Sequence, residues 1–247
     1  MDRRKGSGRL PGKKGFAGRL PGRIALLFVL FSVLFCVRPR ETAFAQWTGL
    51  GIPSSVSYAS GNSDRVIILV GDSRTMYLSV YSAGSDTKDF VLCWVNGGSI
   101  SVIGKNGILT PLLEEALRRY PEAPVVFNLG YNGNSYPRAN AGKLIREYSR
   151  WEKKYPGHHF YIANVGPAAA SGKYSDENAA LLNRTLEKEY GMTPRYIDLY
   201  GSLMKSGTVS TQGKGFLPDR KHYGAAAGCR ILRTVRRRVS EGEGWGR

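Results

Sequence analysis

An apolar stretch followed by Gly-Asp-Ser limits the folds open to this chain. Residues 65–70 read Arg-Val-Ile-Ile-Leu-Val, and Gly71, Asp72 and Ser73 follow directly. A short, β-branched apolar run with polar residues before it and glycine after it predicts a strand buried on both faces of a parallel sheet. Ser73 would then lie just beyond the carboxyl end of a central strand, where ligands collect in open α/β sheets. A plain turn of small polar residues is the alternative interpretation.

The rest of the chain alternates between strand and helix patterns. Further apolar runs predict strands at 89–95, 124–129, 159–165 and 195–199. Helical periodicity and capping residues predict helices at 74–80, 106–120, 138–154, 175–190 and 223–239. This alternation predicts an α/β three-layer sandwich of flavodoxin-like type, with a parallel five-stranded sheet and helices on both faces. The loops after the strands, joined by a long loop at 201–221, would gather at one edge of the sheet.

The first 45 residues are typical of an export signal. A basic head rich in glycine and proline precedes the uncharged apolar run 24–37, which is shorter than the ~20 residues that span a bilayer. Ala43-Phe44-Ala45 then offers a small-x-small cleavage site, and an uncleaved signal anchor is the alternative. Both interpretations predict a secreted or membrane-anchored, extracytoplasmic protein. The predicted organisation is a leader at 1–45, a linker at 46–63, a domain at 64–240 and a tail at 241–247.

The formal net charge of +17 does not by itself indicate a nucleic-acid partner. About half of this charge lies in the leader, and arginines between Arg230 and Arg238 supply much of the remainder. No interleaving of aromatic and basic residues matches a DNA- or RNA-binding motif, so no nucleic acid is predicted to bind. A solvated basic helix end is the simpler interpretation, and attraction to an anionic wall polymer or a membrane surface is the alternative.

The cysteines do not form a disulfide framework or a metal site. Cys36 lies in the leader, so the exported domain keeps only Cys93 and Cys229. Two cysteines at this spacing match neither pattern. Because Cys93 lies in a predicted strand and Cys229 in a predicted helix, both are predicted to be buried small hydrophobes and not a bridged pair.

Only one of the three histidines lies at the predicted site edge. His158 and His159 begin a predicted strand, which puts them at the opposite edge from Ser73. His222 precedes the last predicted helix, and Asp219 comes three residues before it. A tight turn could present the Asp219 carboxylate to Nδ1 of His222, leaving Nε2 to face Ser73. The alternative is that Asp219 is a turn or capping residue and His222 is simply exposed.

Four short blocks follow one another in a fixed order along the chain. They are Gly71-Asp72-Ser73 after the first strand, glycine at 97–98 after the second, Gly130-Tyr131-Asn132 after the third, and Asp219-x-x-His222 before the last helix. In this order they resemble the four motif blocks of the SGNH (GDSL-like) hydrolase family. The resemblance covers roughly residues 64–240.

The resemblance implies ester hydrolysis or acyl transfer through a covalent acyl-serine. It implies that Ser73 is the nucleophile, His222 the general base and Asp219 the carboxylate that orients the base. The implied oxyanion hole comprises the backbone N–H of Ser73, the backbone N–H of Gly98 or of the glycine before it, and the side-chain amide of Asn132. Serine chemistry of this kind needs no metal and no organic cofactor, so none is predicted.

The sequence departs from the family pattern at two places. Gly133 stands where the family usually has aspartate, and we expect an altered loop geometry there. Arg220 and Lys221 follow Asp219, where the family often has glycine. These two cations either point to solvent or favour an anionic substrate.

The sequence thus predicts an extracytoplasmic serine esterase that removes small O-acyl groups from a carbohydrate or cell-wall polymer. The acetyl group and the carbohydrate follow from the habits of the family and from the predicted export. An O-acyltransferase that uses the same residues is one alternative. A non-catalytic glycan- or wall-binding module with a vestigial triad is the other.

Overall fold

The computed structural model describes residues 42–47, 53–59, 65–82, 84–133 and 137–245. The chain divides after Pro39 into two units, and all of the described residues belong to the second, Arg40–Arg247. The basic head, the apolar run 24–37 and Cys36 therefore lie outside the described residues. Within the described ranges, no helix is both long enough and apolar enough to cross a membrane.

A seven-stranded sheet forms the centre of the second unit. Its strands are β1 Thr42–Trp47, β2 Pro53–Ser57, β3 Ile67–Gly71, β4 Phe90–Val95, β5 Val125–Asn128, β6 Phe160–Ala163 and β7 Tyr196–Ile197. They lie in the order β1-β2-β4-β3-β5-β6-β7, and β3 to β7 are parallel. Counted along the chain, the parallel strands follow the flavodoxin order 2-1-3-4-5. The predicted fold class and its five parallel strands are therefore confirmed.

Helices cover both faces of the sheet. They are α1 Ser73–Tyr81, α2 Gly84–Thr87, α3 Thr110–Arg119, α4 Pro137–Lys154, α5 Asp176–Tyr190, α6 Leu199–Lys205 and α7 Ala225–Glu243. In β3, Ile67 and Leu69 belong to the apolar cluster that includes α1, α6 and α7. Ile68 and Val70 belong to the cluster on the other face, with α3, α4 and α5. All four side chains are fully buried, which explains why this strand reads as an unbroken apolar run.

The stretch predicted as a linker contains strand structure, so that prediction is wrong. β2 pairs antiparallel with β4, and β1 pairs antiparallel with β2. A serine-rich sequence has low strand propensity, and this segment forms a strand because the free edge of β4 offers partners for its backbone. β1 also runs across the predicted cleavage position between Ala45 and Gln46.

Two other segments differ from their predictions. The predicted loop 201–221 begins inside α6, which is too short to show helical periodicity but buries Leu199 and Leu203. In the predicted tail, α7 continues to Glu243 and Trp245 packs against the apolar core. Apolar contacts with the sheet, and not local pattern, decide both segments.

The cysteines and the arginines of α7 have ordinary structural surroundings. Cys93 is a buried free thiol in β4, and Cys229 is a half-buried free thiol in α7. On α7, Arg233 pairs with Asp86 at 3.1 Å, and Arg238 pairs with Glu241 at 3.0 Å. These pairs favour the interpretation of the basic C-terminal segment as a solvated helix.

Candidate active site

Ser73 begins α1 immediately after β3, at the point where the strand order reverses between β3 and β5. Gly71 is required here because a Cβ at this position would lie 1.9 Å from Thr75 Oγ1. Asp72 caps the helix: its Oδ1 accepts a hydrogen bond from the Arg74 N–H at 2.9 Å. As the first N–H of α1, the Ser73 N–H has no partner within the helix. The local sequence therefore places a hydroxyl and a backbone donor together at the switch point of the sheet.

Ser73, His222 and Asp219 form a continuous chain of hydrogen-bonding atoms. Nε2 of His222 lies 2.8 Å from Ser73 Oγ, and Nδ1 lies 2.5 Å from Asp219 Oδ2. The other Asp219 oxygen accepts hydrogen bonds from the backbone N–H groups of Lys221 and His222, at 2.9 and 3.0 Å. The turn that joins Asp219 to His222 therefore fixes both ends of the imidazole–carboxylate contact.

This turn keeps the Asp219 carboxylate ionised. Burial would raise the pKa of Asp219, but hydrogen bonds from the backbone and the imidazole of His222 lower it below the ordinary value. A carboxylate on Nδ1 fixes the imidazole tautomer whose Nε2 can accept a proton. The arrangement can therefore take a proton from the Ser73 hydroxyl.

An aromatic ring that the sequence analysis missed lies against the imidazole. The ring of Tyr77 stacks on His222, with centroids 4.1 Å apart and planes 22° apart. The ring of Tyr81 stacks on Tyr77 at 5.4 Å and is exposed. The spacing could have indicated that Tyr77 lies near Ser73, since residues 73, 77 and 81 recur every four positions and share one face of a helix.

The Asn132 side chain reaches the same edge, but its neighbours differ from the prediction. Its Nδ2 donates to the Gly98 carbonyl oxygen at 3.1 Å and to Asp72 Oδ2 at 3.2 Å. The Gly98 N–H instead donates to the Val95 carbonyl at 3.3 Å. The turn after β4 thus directs the Gly98 carbonyl toward Asn132 and turns its N–H back, so the predicted oxyanion role of the Gly98 N–H is not supported by this geometry.

Asp72 connects α1 to Asn132. Its side chain is almost completely buried, and burial raises the pKa of Asp72, opposed by the Arg74 charge and backbone N–H and by His222. One carboxylate oxygen caps α1 and the other accepts from Asn132. The carboxyl group therefore orients the Asn132 amide, since Nδ2 is its hydrogen-bond donor.

The two departures from the family pattern have different structural outcomes. Gly133 has φ of +103°, a backbone conformation that would strain an aspartate, so this loop favours glycine here. Arg220 has φ of +57°, which costs a non-glycine residue about 1 kcal/mol, and its guanidinium donates to the Gln212 carbonyl at 3.1 Å. Arg220 is exposed, whereas the Lys221 ammonium lies 4.7 Å from the Tyr174 ring centroid.

The remaining histidines lie at the opposite end of the sheet, before β6. His158 Nδ1 lies 3.1 Å from the Ala123 carbonyl oxygen. His159 Nδ1 lies 2.7 Å from Glu243 Oε2. Among the described residues, His222 is therefore the histidine that the structure brings within hydrogen-bond distance of Ser73.

Similarity to known proteins is detectable in structure only. No protein-family model matches the sequence, and no curated protein is significantly similar to it. A Bacteroides fragilis protein assigned as an acylhydrolase gives a TM-score of 0.57 at 16% identity, over 75% of this chain and 91% of that chain.

Two further solved structures extend this likeness. A carbohydrate acetylesterase from Sinorhizobium meliloti gives a TM-score of 0.53 at 17% identity, over 72% of this chain and 99% of that chain. A member of the lipolytic G-D-S-L family from Veillonella parvula gives 0.51 at 15% identity, over 72% and 97%. The chain therefore has the fold of the SGNH (GDSL-type) acylhydrolases and esterases.

Proposed function

We propose that this protein is a serine esterase that removes small O-acyl groups, acetyl above all, from a carbohydrate or cell-wall polymer. One observation carries the proposal: the unbroken sequence of contacts from Asp219 Oδ2 through the His222 imidazole to Ser73 Oγ. A nucleophile, a base in hydrogen-bond reach and a carboxylate that orients the base are the parts that acyl transfer to serine requires.

The reaction proceeds in two acyl-transfer steps. Ser73 Oγ attacks the ester carbonyl carbon while Nε2 of His222 takes the hydroxyl proton, and the Asp219 carboxylate stabilises the imidazolium. His222 then gives this proton to the departing alkoxide, so the alcohol leaves and an acyl-serine remains. Water, deprotonated by His222, attacks the acyl carbon; the acid is released and the proton returns to Ser73 Oγ.

The negative charge that develops on the carbonyl oxygen is stabilised by two donors in this proposal. They are the Ser73 N–H, which has no helical partner, and Nδ2 of Asn132. Nδ2 contacts the Gly98 carbonyl and Asp72 in the free protein. The substrate oxygen replaces the Gly98 carbonyl as an acceptor, while Asp72 keeps the amide in place.

The surroundings of the serine support a sugar alcohol as the leaving group. The stacked rings of Tyr77 and Tyr81 extend outward from His222, the residue that must protonate the departing alkoxide. An exposed aromatic ring provides a flat apolar surface on which a ring of similar size can stack. The pyranose ring of a sugar has such a size and an apolar face. The carbohydrate acetylesterase among the similar folds acts on the same class of ester.

Export remains part of the proposal. The basic head and the apolar run 24–37 support a protein that acts outside the cytoplasm, secreted or membrane-anchored. An acylated wall polymer is a substrate that such a protein would meet there.

The test is labelling of the purified full chain with a fluorophosphonate, followed by mass spectrometry. The full chain is used because β1 spans the predicted cleavage position. We expect one adduct, on Ser73, that is absent in His222→Ala. A folded protein that does not react would overturn the proposal and favour the binding module. Adding glycan acceptors to an ester assay then separates hydrolysis from acyl transfer.

A further inference from the structure

We propose that Arg74 is a positioning residue that holds His222 and Asn132 in place relative to Ser73. The inference rests on the proposed function, because it assigns Arg74 a role in that reaction. Arg74 follows Ser73 in α1, and its side chain is almost completely buried, with 5% exposure. A guanidinium at such a depth needs partners for most of its donors.

The guanidinium contacts both chain neighbours of His222. Its Nε donates to the Lys221 carbonyl oxygen at 3.1 Å, and Nη1 donates to the Tyr223 hydroxyl at 2.9 Å. The Tyr223 ring centroid also lies 4.7 Å from the guanidinium carbon. The backbone on either side of His222 is therefore fixed to the residue next to Ser73.

A second set of contacts fixes the loop that carries Asn132. The guanidinium carbon lies 3.4 Å from the ring centroid of Tyr131, the residue before Asn132. Stacking of a cation on an aromatic ring is stronger when water is excluded from the contact, as it is at this depth. The position of the proposed oxyanion donor is thus tied to the same side chain.

The loop after β6 anchors the other end of the guanidinium. Nη1 donates to the Gly166 carbonyl at 3.1 Å, and Nη2 donates to the Pro167 carbonyl at 3.3 Å. The packing here is close, since a Cβ on Gly166 would lie 2.4 Å from the Tyr223 hydroxyl. The Tyr223 hydroxyl in turn donates to the Pro167 carbonyl at 2.8 Å.

These contacts require arginine in particular. The planar guanidinium presents five N–H donors in a fixed fork, and four different acceptors receive hydrogen bonds from it here. A lysine ammonium has the same charge but has three donors at one point, so it cannot reach acceptors on both sides. Loss of the fork should shift His222 relative to Ser73, and a shift of about 1 Å costs on the order of 10²-fold in rate.

The experiment measures the rate at which a fluorophosphonate modifies Ser73, separated into reagent binding (KI) and the saturating rate (kinact). We expect Arg74→Lys and Arg74→Ala to lower kinact about 10²-fold with little change in KI. Guanidinium ion at non-denaturing concentration should restore the rate of Arg74→Ala and leave Arg74→Lys slow. A rate in folded Arg74→Lys equal to that of the parent would overturn the inference.

Two further variants separate positioning from general destabilisation. Arg150 also donates to a backbone carbonyl, that of Ile103, pairs with Glu147 and lies 4.9 Å from the Trp151 ring centroid. Within the described ranges these partners lie outside the proposed site. Arg150→Met should lower Tm and leave kinact unchanged; an equal loss of kinact would show a global effect and overturn the inference. If the Arg74 variants do not fold, Tyr223→Phe decides: a lower kinact supports the inference and an unchanged kinact overturns it.

The proposed function and this inference fail in different ways. If the parent protein does not react at Ser73, the proposed function fails. If the parent reacts and the Arg74 and Tyr223 variants react at the same rate, only the role of Arg74 fails.

Discussion

Two histidine–carboxylate pairs lie at opposite ends of the sheet and differ in the hydroxyl group that contacts each pair. His222 Nδ1 contacts Asp219 at 2.5 Å, and His159 Nδ1 contacts Glu243 at 2.7 Å. Nε2 of His222 reaches the Ser73 hydroxyl at 2.8 Å. The His159 pair instead shares its carboxylate with the Tyr161 hydroxyl, which donates to Glu243 at 2.6 Å.

In the described part of the chain, the two pairs differ because only at the carboxyl edge does the fold place a serine hydroxyl beside the histidine. At the carboxyl edge, loops from several strands converge, so a serine after β3 can meet a histidine before α7. At the amino edge, His159 directly precedes β6 and Glu243 ends α7, so their contact joins the start of a strand to a helix end. The first pair is expected to govern activity and the second to govern stability.

The largest expected effect contrasts the two histidines. His222→Ala should lower kcat for p-nitrophenyl acetate about 10⁶-fold, because removal of the base from a triad costs about this much. His159→Ala should leave kcat unchanged, since that ring lies at the far end of the sheet. Activity of His222→Ala at the parent level, or loss of activity in His159→Ala, would contradict the assignment.

The carboxylates of the two pairs should differ in their effect on kcat as their histidines do. Asp219→Asn should lower kcat about 10⁴-fold, because the amide stabilises the wrong imidazole tautomer and no imidazolium. Glu243→Gln keeps a similar shape at the other pair and should retain full kcat. Steady-state kinetics on both variants tests this, and similar losses in the two would show that the pairs are not distinct in function.

Asn132→Ala tests whether the site edge also supplies an oxyanion donor. We expect kcat to fall about 10²- to 10³-fold, with KM little changed, because the lost hydrogen bond strengthens in the transition state. The measurement is kcat and KM for the same ester. An unchanged kcat would remove Asn132 from the mechanism.

For the free energy of unfolding, the pair at the amino edge of the sheet should matter more than the pair at the carboxyl edge. Glu243→Ala leaves the Tyr161 hydroxyl, on a residue 1% exposed, without its acceptor, which should lower the free energy of unfolding by about 1–3 kcal/mol. Urea denaturation measures this change as a lower midpoint at constant m-value. If the midpoint does not move, the contact between β6 and the end of α7 contributes little.

The smallest expected effect is the acid dependence of stability at the site. The folded protein lowers the pKa of Asp219, so this group stabilises the fold above its ordinary pKa of about 3.9, and the contribution is lost as pH falls through the folded value. Between pH 6 and pH 3 the parent should therefore lose slightly more unfolding free energy than Asp219→Asn. The difference is small because the carboxylate side chain is 41% exposed. Equal losses in urea titrations at the two pH values would contradict it.

Local sequence determined much of this protein. The apolar run before Gly71 specifies a strand buried on both faces, and the alternation of such runs with helical patterns specifies the parallel sheet. The spacing Asp219-x-x-His222 specifies a contact within a single turn, and it forms at 2.5 Å. These features depend on neighbours in the chain, so composition and periodicity are enough to predict them.

Tertiary structure alone decided the features that join distant segments. Ser73 and His222 are 149 residues apart, and no local pattern states which way a ring or a carbonyl will face. The turn after β4 presents the Gly98 carbonyl to Asn132. The serine-rich segment forms a strand because it pairs with the edge of β4. Arg74 contacts the residues on both sides of His222. The sequence sets which groups exist and where along each element they lie, whereas packing of the elements sets which atoms meet, because hydrogen bonds between loops form only once the sheet has fixed their distances.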